Sequence, residues 1–358
     1  MAKELWKGNE AVAEAAIRSG CKYFFGYPIT PQNEIPEYFA EHLHEVGGCF
    51  LQAESEVAAI NMVYGAAGCG KRVMTSSSSP GISLKQEGIS YLCGAELPCV
   101  IVNMMRGGPG LGTIQPAQGD YFQATRGGGH GDYRHLVYAP ATIQEAADYV
   151  RIAFDVADYY RNPVMILADG MIGQMMEAIE WHDIPPRELP AKEWATTGTG
   201  NKRKPNIINS LYIDPNVCAE HNERLAQKYR DMEECETRWE QANVEGCEVL
   251  LVAYGTPSRI AKAAMKLLEK EGIRAGVFRP ITLWPFPSKA LKKVAMQASC
   301  KIVVTFELSM GQMVDDVKIA IEGCRPVKFT GKAGGVVPSP SDVANFAKRS
   351  LEELALGR

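Results

Sequence analysis

Four stretches of this 358-residue sequence combine residue types that could act on a small molecule. In LQAESEVAAINMVYGAAGCGKR (51–72) two glutamates, Glu54 and Glu56, fall where an apolar run gives way to an Ala- and Gly-rich helical pattern. A carboxylate that opens a helix is a favourable partner for the helix dipole. At a tight, dry interface it becomes instead an acid with a raised pKa, and the residue types leave both readings open. In NMMRGGPGLGTIQPAQGDYFQATRGGGHGDYRH (103–135) nine glycines are mixed with Arg106, Gln115, Gln118, Asp120, Arg126, His130 and Asp132. A loop this long and polar within a compact domain is more often functional than not. Arg106 stands directly at a strand end and suits a planar clamp on a carboxylate; a structural ion pair is the alternative.

The other two stretches carry hydroxyls. GYPITPQNEIPEY (26–38) reads as a strand end that turns through two prolines into a helix, with Thr30 as N-cap and Pro31 at the first helical position. A free hydroxyl at a helix N-terminus beyond a strand's carboxyl end is a ready carboxylate site, and equally a rigid turn. MTSSSSPGISLKQEGISYL (74–92) sets four serines before Pro-Gly at the head of a helix. Such a head could meet a polar ring or an anion, but the same residues are ordinary turn chemistry. There is no GxxxxGK[ST], no strand-linked GxGxxG with a following acid, no GxSxG and no HExxH.

The elements that must position these residues follow from apolar periodicity. Short Val/Ile-rich runs at 22–27, 49–52, 72–76, 99–104, 136–139 and 164–168 alternate with helical patterns, the mark of an α/β layer fold on a parallel sheet. Thr142-Ile143-Gln144-Glu145 has capping-box spacing and opens a helix expected to reach about Tyr160. Segment 181–209, with four prolines and TTGTGNKRK, reads as a linker, and 216–243 as a charged, solvated helix between domains. A second α/β unit begins with VLLVAYG. Thr256-Pro257 is expected to cap its first helix, and GVFRPITLWPFP, a helix from Ser288, the strand KIVVTFE and a last helix over about 341–354 follow. The expected units are therefore 1–180, a connector at 181–244, and 245–358.

Composition narrows the class. With 46% hydrophobic residues, 22% charged and a formal net charge of −4, the chain has no electrostatic footprint for nucleic acid or anionic membrane. No apolar run approaches the ~20 residues of a bilayer span, and MAKELWKGNEAVAEAA lacks a signal-peptide core, so a cytoplasmic protein is expected. Ten cysteines include no C-x-x-C pair, so neither an iron–sulfur nor a zinc site is visible. No metal ligands are assigned.

Taken in order, YPITP (27–31), the QAESEVAAI…GAA helix, SSSSPGISLKQE and the Arg106 loop resemble the pyrimidine-binding domain of 2-oxoacid:ferredoxin oxidoreductases. GVFRPITLWPFP (276–287) resembles the transketolase C-terminal-type domain that accompanies it in the α-type subunit of that family. The likeness runs from about Gly8 to Gly323, and the GYPITPQNEIPEY form is most similar to the branched-chain (2-oxoisovalerate) enzymes. The resemblance implies two parallel-sheet, three-layer α/β domains joined by a helical, irregular connector. It also implies oxidative decarboxylation of a 2-oxoacid with coenzyme A to acyl-CoA, CO2 and reduced ferredoxin.

Within the resemblance, thiamine diphosphate lies between two chains. Its aminopyrimidine faces this one, while Mg2+ and diphosphate sit on a β-type subunit. Iron–sulfur clusters sit on γ- and ferredoxin-like δ-type subunits. The family's catalytic, pyrimidine-binding glutamate falls on Glu56, with Glu54 as the alternative, and Pro28 and Ile29 fall beside the cofactor. Thr30 and Arg106 match the contacts to the substrate carboxylate; Gln86, Gln115, Asp120 and His130 are expected only to line the site. The Gly-Asp-Gly…Asn pattern that holds Mg2+ and diphosphate in thiamine enzymes is missing, and Gly131-Asp132-Tyr133 departs from it. Alternatives are a pyruvate- or 2-oxoglutarate-specific member, a non-catalytic assembly or regulatory subunit, and a transketolase-type enzyme acting on sugars.

Overall fold

A computed structural model describes residues 3–356; Met1, Ala2, Gly357 and Arg358, which fall within the expected unit bounds, lie outside it. The first part of the chain runs β1 (Glu4–Lys7), α1 (Gly8–Arg18), β2 (Tyr23–Gly26), α2 (Glu34–His42), β3 (Cys49–Gln52), α3 (Glu56–Gly68), β4 (Val73–Ser77) and α4 (Ser79–Gly94). It continues through β5 (Val100–Met105), α5 (Tyr121–Arg126), β6 (Leu136–Tyr138), α6 (Ile143–Tyr160), β7 (Val164–Asp169), α7 (Gly170–Gln174) and β8 (Met176–Ile179). Then follow α8 (Pro215–Cys235), β9 (Trp239–Ala242), β10 (Val249–Val252), α9 (Gly255–Lys270), β11 (Ala275–Pro280) and β12 (Thr282–Trp284). The chain closes with α10 (Ser288–Ala295), β13 (Ile302–Glu307), α11 (Met313–Ile321), β14 (Val327–Gly331) and α12 (Pro340–Ala355).

The fold is α/β, as expected. Strands β4, β5 and β7 are buried at every position, which is why β5 and β7 are largely apolar on both faces rather than alternating, while β4 ends in the buried polar residues Thr75, Ser76 and Ser77. They form the middle of a seven-stranded sheet in the order β12-β6-β7-β5-β4-β2-β3, parallel except for β12. A five-stranded sheet, β14-β13-β10-β11-β9, is parallel except at the β9 edge. Strands β1 and β8 make a separate antiparallel ribbon.

Several local expectations are corrected. Thr30 is not an N-cap: the chain first makes a turn in which Gln32 N–H donates to the Ile29 carbonyl (3.1 Å), and α2 opens at Glu34 after Asn33. The buried Gln32 side chain holds that turn, donating to the Tyr27 carbonyl and bonded to Ser76. Thr256 does not cap α9, which starts one residue earlier at Gly255, where φ is +56° and glycine alone is unstrained. Thr142 does cap α6, accepting from Glu145 N–H at 3.1 Å. Glu145 does not close the reciprocal half of the box, because its carboxylate accepts from Ala141 N–H and from Arg279. The charged helix α8 is solvated on one face only: His221, Leu225, Tyr229 and Met232 are buried at helical spacing, and His221 bonds the Gly94 carbonyl at 2.7 Å.

Two strands tie the halves together in ways the sequence pattern did not suggest. β9 lies ahead of residue 245 yet pairs with β11 in the second sheet. β12 follows β11 closely but crosses to pair with β6, extending the first sheet. Helix α11 and strand β14 were not anticipated either. Among the described residues no helix is long and apolar enough to cross a membrane.

Candidate functional site at the carboxyl ends of the first sheet

Parallel strands bring their carboxyl ends to one edge, and the order β3-β2-β4-β5-β7 sets the following residues side by side there. After β3 comes Glu56, after β2 the Pro28–Thr30 turn, after β4 the Ser77–Ser79 segment, after β5 Arg106, and after β7 Gly170. Sequence-distant stretches thus become one surface.

Glu56 is the first residue of α3. Ser55 caps the helix by accepting from Ala58 N–H at 3.1 Å, which turns the Glu56 side chain inward while Glu54, two residues earlier, is exposed. Glu56 is 7% exposed, yet its carboxylate makes no hydrogen bond or ion pair among the described residues. It lies against the first turn of α4, where a Cβ on Gly81 would come within 2.0 Å of Ser77 Oγ and 2.7 Å of Glu56 Oε1. Only glycine permits this approach. The buried Oγ atoms of Ser77 and Ser78 and the buried Nε2 of Gln86 also lack partners. Of these, the Ser77 hydroxyl lies beside the Glu56 carboxylate, a pairing that suits a polar planar ring.

Arg106 is 9% exposed. Its terminal nitrogens donate to the carbonyls of Thr30 and Leu111, each at 3.0 Å, and its Nε is buried without a partner. The guanidinium therefore joins the β2 turn to the glycine-rich loop and keeps spare donors on the same fork. The Thr30 side chain is exposed beside it, as is Pro28, with Ile29 half-buried.

A network missed in the sequence lies behind Arg106. Ser79 Oγ donates to Asp120 (2.6 Å), Asn103 Nδ2 donates to the same carboxylate (2.9 Å), and Arg106 N–H donates to Ser79 Oγ (3.0 Å). Burial pushes the Asp120 carboxyl above its ordinary value, against those two hydrogen bonds. The loop is also tied to the second unit: Gln118 Nε2 donates to the Tyr254 carbonyl, Tyr121 Oη to Asp316, and Gln312 Nε2 to the Gly119 carbonyl.

The remaining expected lining residues scatter. Gln86 Oε1 accepts from Gly128 N–H (3.1 Å) and Tyr133 Oη (3.2 Å), so it holds the second half of the glycine loop. Gln115 is exposed and lines a cleft of about 460 Å3 with Thr30, Glu34, Met171, Gln174 and Val337. His130 is exposed and makes no hydrogen bond or ion pair among the described residues. Thr30 and Arg106 are brought together; Glu56 belongs with Ser77 and Gly81. Of the residues sequence reading passed over, Asn103 and Ser79 had only their place at strand ends as a signal.

A family profile described as pyruvate flavodoxin/ferredoxin oxidoreductase, thiamine diphosphate-binding, matches residues 14–241. A second, described as pyruvate:ferredoxin oxidoreductase core domain II, matches residues 247–343. The chain is an α-type subunit of the 2-oxoacid:ferredoxin oxidoreductases. This α-type subunit is 48% identical over 355 residues to ketoisovalerate oxidoreductase subunit VorB of Methanothermobacter marburgensis, covering 99% of each chain. It is 36% identical over 366 residues to 2-oxoglutarate synthase subunit KorA of Methanocaldococcus jannaschii, covering 96% of this chain and 98% of the other. The 2-oxoglutarate:ferredoxin oxidoreductase of Magnetococcus marinus superposes with a TM-score of 0.87 at 26% identity, over 98% of the subunit but 65% of that longer chain. A split-gene transketolase at 18% identity and TM-score 0.60 shares the fold. The α-type subunit thus belongs to a thiamine diphosphate-dependent oxidoreductase that works as a multisubunit complex and passes electrons to ferredoxin.

Proposed function

We propose that this subunit supplies the aminopyrimidine side of a thiamine diphosphate site shared with a β-type subunit, in an enzyme that oxidatively decarboxylates 2-oxoisovalerate with coenzyme A. The reading rests on Glu56, a buried carboxylate that makes no hydrogen bond among the described residues, facing a glycine whose missing side chain leaves room at the ring's edge. Thiamine diphosphate, when bound, supplies the carbon nucleophile and electron sink that this chain lacks. Glu56 accepts the hydrogen bond from N1′ of the aminopyrimidine and so fixes where the ring's proton resides. Ser77 and Ser78 offer hydroxyls beside it. Arg106, with Thr30, orients the oxoacid carboxylate through the donors left on the fork.

The outer face of the pyrimidine side supports a partner chain. Val57 on α3 and Leu84 and Tyr91 on α4 are exposed at 45%, 54% and 39%, and Gly65 has open space above it. Exposed apolar side chains on the two helices that hold Glu56 are a surface that another subunit would cover. Mg2+ and diphosphate are assigned to that β-type subunit, because the Gly-Asp-Gly…Asn pattern is missing here. The iron–sulfur clusters are assigned to γ- and ferredoxin-like δ-type subunits, because no C-x-x-C pair occurs in this sequence. The higher identity to the ketoisovalerate relative than to the 2-oxoglutarate relatives supports a branched-chain substrate.

Turnover of the co-purified complex with a viologen dye and a panel of oxoacids tests this directly. The expected kcat/KM for 2-oxoisovalerate exceeds that for pyruvate or 2-oxoglutarate by at least about tenfold. Equal values would remove the branched-chain assignment, and no turnover with any oxoacid would remove the function. The purified subunit alone should bind thiamine diphosphate only weakly in calorimetry; tight stoichiometric binding contradicts a shared site. Arg106→Ala in the complex should raise KM for the oxoacid by about tenfold, the loss of roughly one charge-assisted hydrogen bond. A normal KM with weakened assembly would make Arg106 a purely structural link.

A further inference from the structure

Helix α4 carries a buried ammonium that nothing above uses. Lys85 is 0% exposed. Its Nζ donates to Thr75 Oγ1 at 2.6 Å and to the Ser76 carbonyl at 3.4 Å, and Thr75 Oγ1 in turn donates to the Phe25 carbonyl at 2.6 Å. Burying a lysine is costly unless its charge has a use.

Its place on the helix shows what it faces. Gly81, Lys85 and Gly88 stand at i, i+4 and i+7, one stripe of α4. Both glycines meet α3: a Cβ on Gly81 would reach Glu56 Oε1, and one on Gly88 would come within 2.5 Å of Ile60 Cγ2. Glu56 and Ile60 are themselves one turn apart on α3, so Lys85 stands between the two glycines on the face of α4 that meets α3, and its Nζ reaches on to β4. Glu56 and Lys85 are the buried charged side chains of these two helices among the described residues. The titratable groups facing Lys85 are Glu56 from α3 and Cys99 from the foot of β5. Burial pushes the Cys99 thiol up, so it carries no charge near neutrality.

We propose that Lys85 is a positioning residue for the reaction: its ammonium keeps the Glu56 carboxylate ionised once the partner subunit and cofactor have excluded water from it. A cation beside a carboxylate favours the form that accepts from N1′. The dependence is mutual. Burial pulls the Lys85 amine down to about 7, and Glu56 is the main influence holding it up. This inference rests on the assignment of Glu56 made above.

The test uses the assembled complex and the pH profile of kcat at saturating oxoacid. Lys85→Met keeps the length of the side chain and removes the charge; because taking one member from a buried charged pair is destabilising, Lys85→Gln, which keeps a donor for Thr75 Oγ1, is measured beside it. The complex should still assemble, with a lowered unfolding temperature. Meanwhile the acid limb of the profile should move to higher pH by about one unit, a tenfold loss of turnover on that limb. Lys85→Gln, polar but neutral, should move the limb the same way. A profile of unchanged shape in either variant, whatever the uniform loss of turnover, overturns the proposal. Glu56→Gln serves as reference: if it retains turnover, the assignment of Glu56 falls and this inference falls with it. An inactive Glu56→Gln with unshifted Lys85 variants sinks the role of Lys85 alone.

Discussion

Glu56→Gln in the assembled complex should lower kcat for thiamine-dependent oxoacid turnover by at least about a hundredfold, with assembly intact. The amide is isosteric, so the cradle made by Gly81 and Ser77 keeps its shape. What changes is proton affinity: the amide oxygen is too weak a base to hold the ring proton at N1′. A hundredfold loss corresponds to about 2.7 kcal/mol of transition-state stabilisation. That is reasonable for one charge-assisted hydrogen bond in a site closed to water. Glu54→Gln, on the exposed side of Ser55, should leave turnover near normal. The paired steady-state measurement decides between the two glutamates that the sequence left open, and normal turnover in Glu56→Gln would reject the site as described.

The second large effect is on stability. Arg279 is 2% exposed on β11, and its terminal nitrogens donate to both oxygens of Glu145 on α6 at 2.7 Å. Its Nε lies 2.7 Å from Glu240 Oε2 on β9. One guanidinium therefore spans both sheets' units. Arg279→Ala leaves two carboxylates facing a void, and removing one member of a buried ionic cluster costs about 3 kcal/mol, the lower end of the usual range because both glutamates keep some water. The urea midpoint of unfolding should fall accordingly; a change within about 0.5 kcal/mol would show the cluster to be energetically neutral. The same cluster has a pH signature. Burial opposes ionisation of Glu240, but Lys262 and Arg279 together hold its carboxyl below the ordinary value. Its contribution is present above the unfolded glutamate pKa and is lost as the pH falls through the lowered one.

What could be read from the sequence, and what could not, divides along physical lines. Strands such as VMILA in β7 and VLLV in β10 were legible because burial on both faces leaves an uninterrupted apolar run. Glu56 was legible as a candidate because it opens a helix of small residues, but its burial depends on the Ser55 cap and on Gly81 across the interface. Thr30 carries a misleading signal, because Thr-Pro before a helical pattern has the local signature of an N-cap. The deciding interaction is a long-range one, Gln32 reaching Ser76. Lys85 has no signature in the sequence, since a lysine in a helix is ordinarily a surface residue and only packing of α4 on both α3 and β4 makes it a core one. The path of β12 could not be read at all: nothing in TLW says which of two sheets it will join.

That path has a consequence for how such subunits can be cut and recombined. By lending Thr282–Trp284 to the β6 edge, the later part of the chain hems the earlier sheet. A gene fragment stopped near residue 245 would encode every strand from β1 to β9 and still produce a sheet with an unguarded margin, open to pairing with its own copies. The two halves are sewn rather than strung, and they should travel through gene fusion and fission as a single piece of cloth.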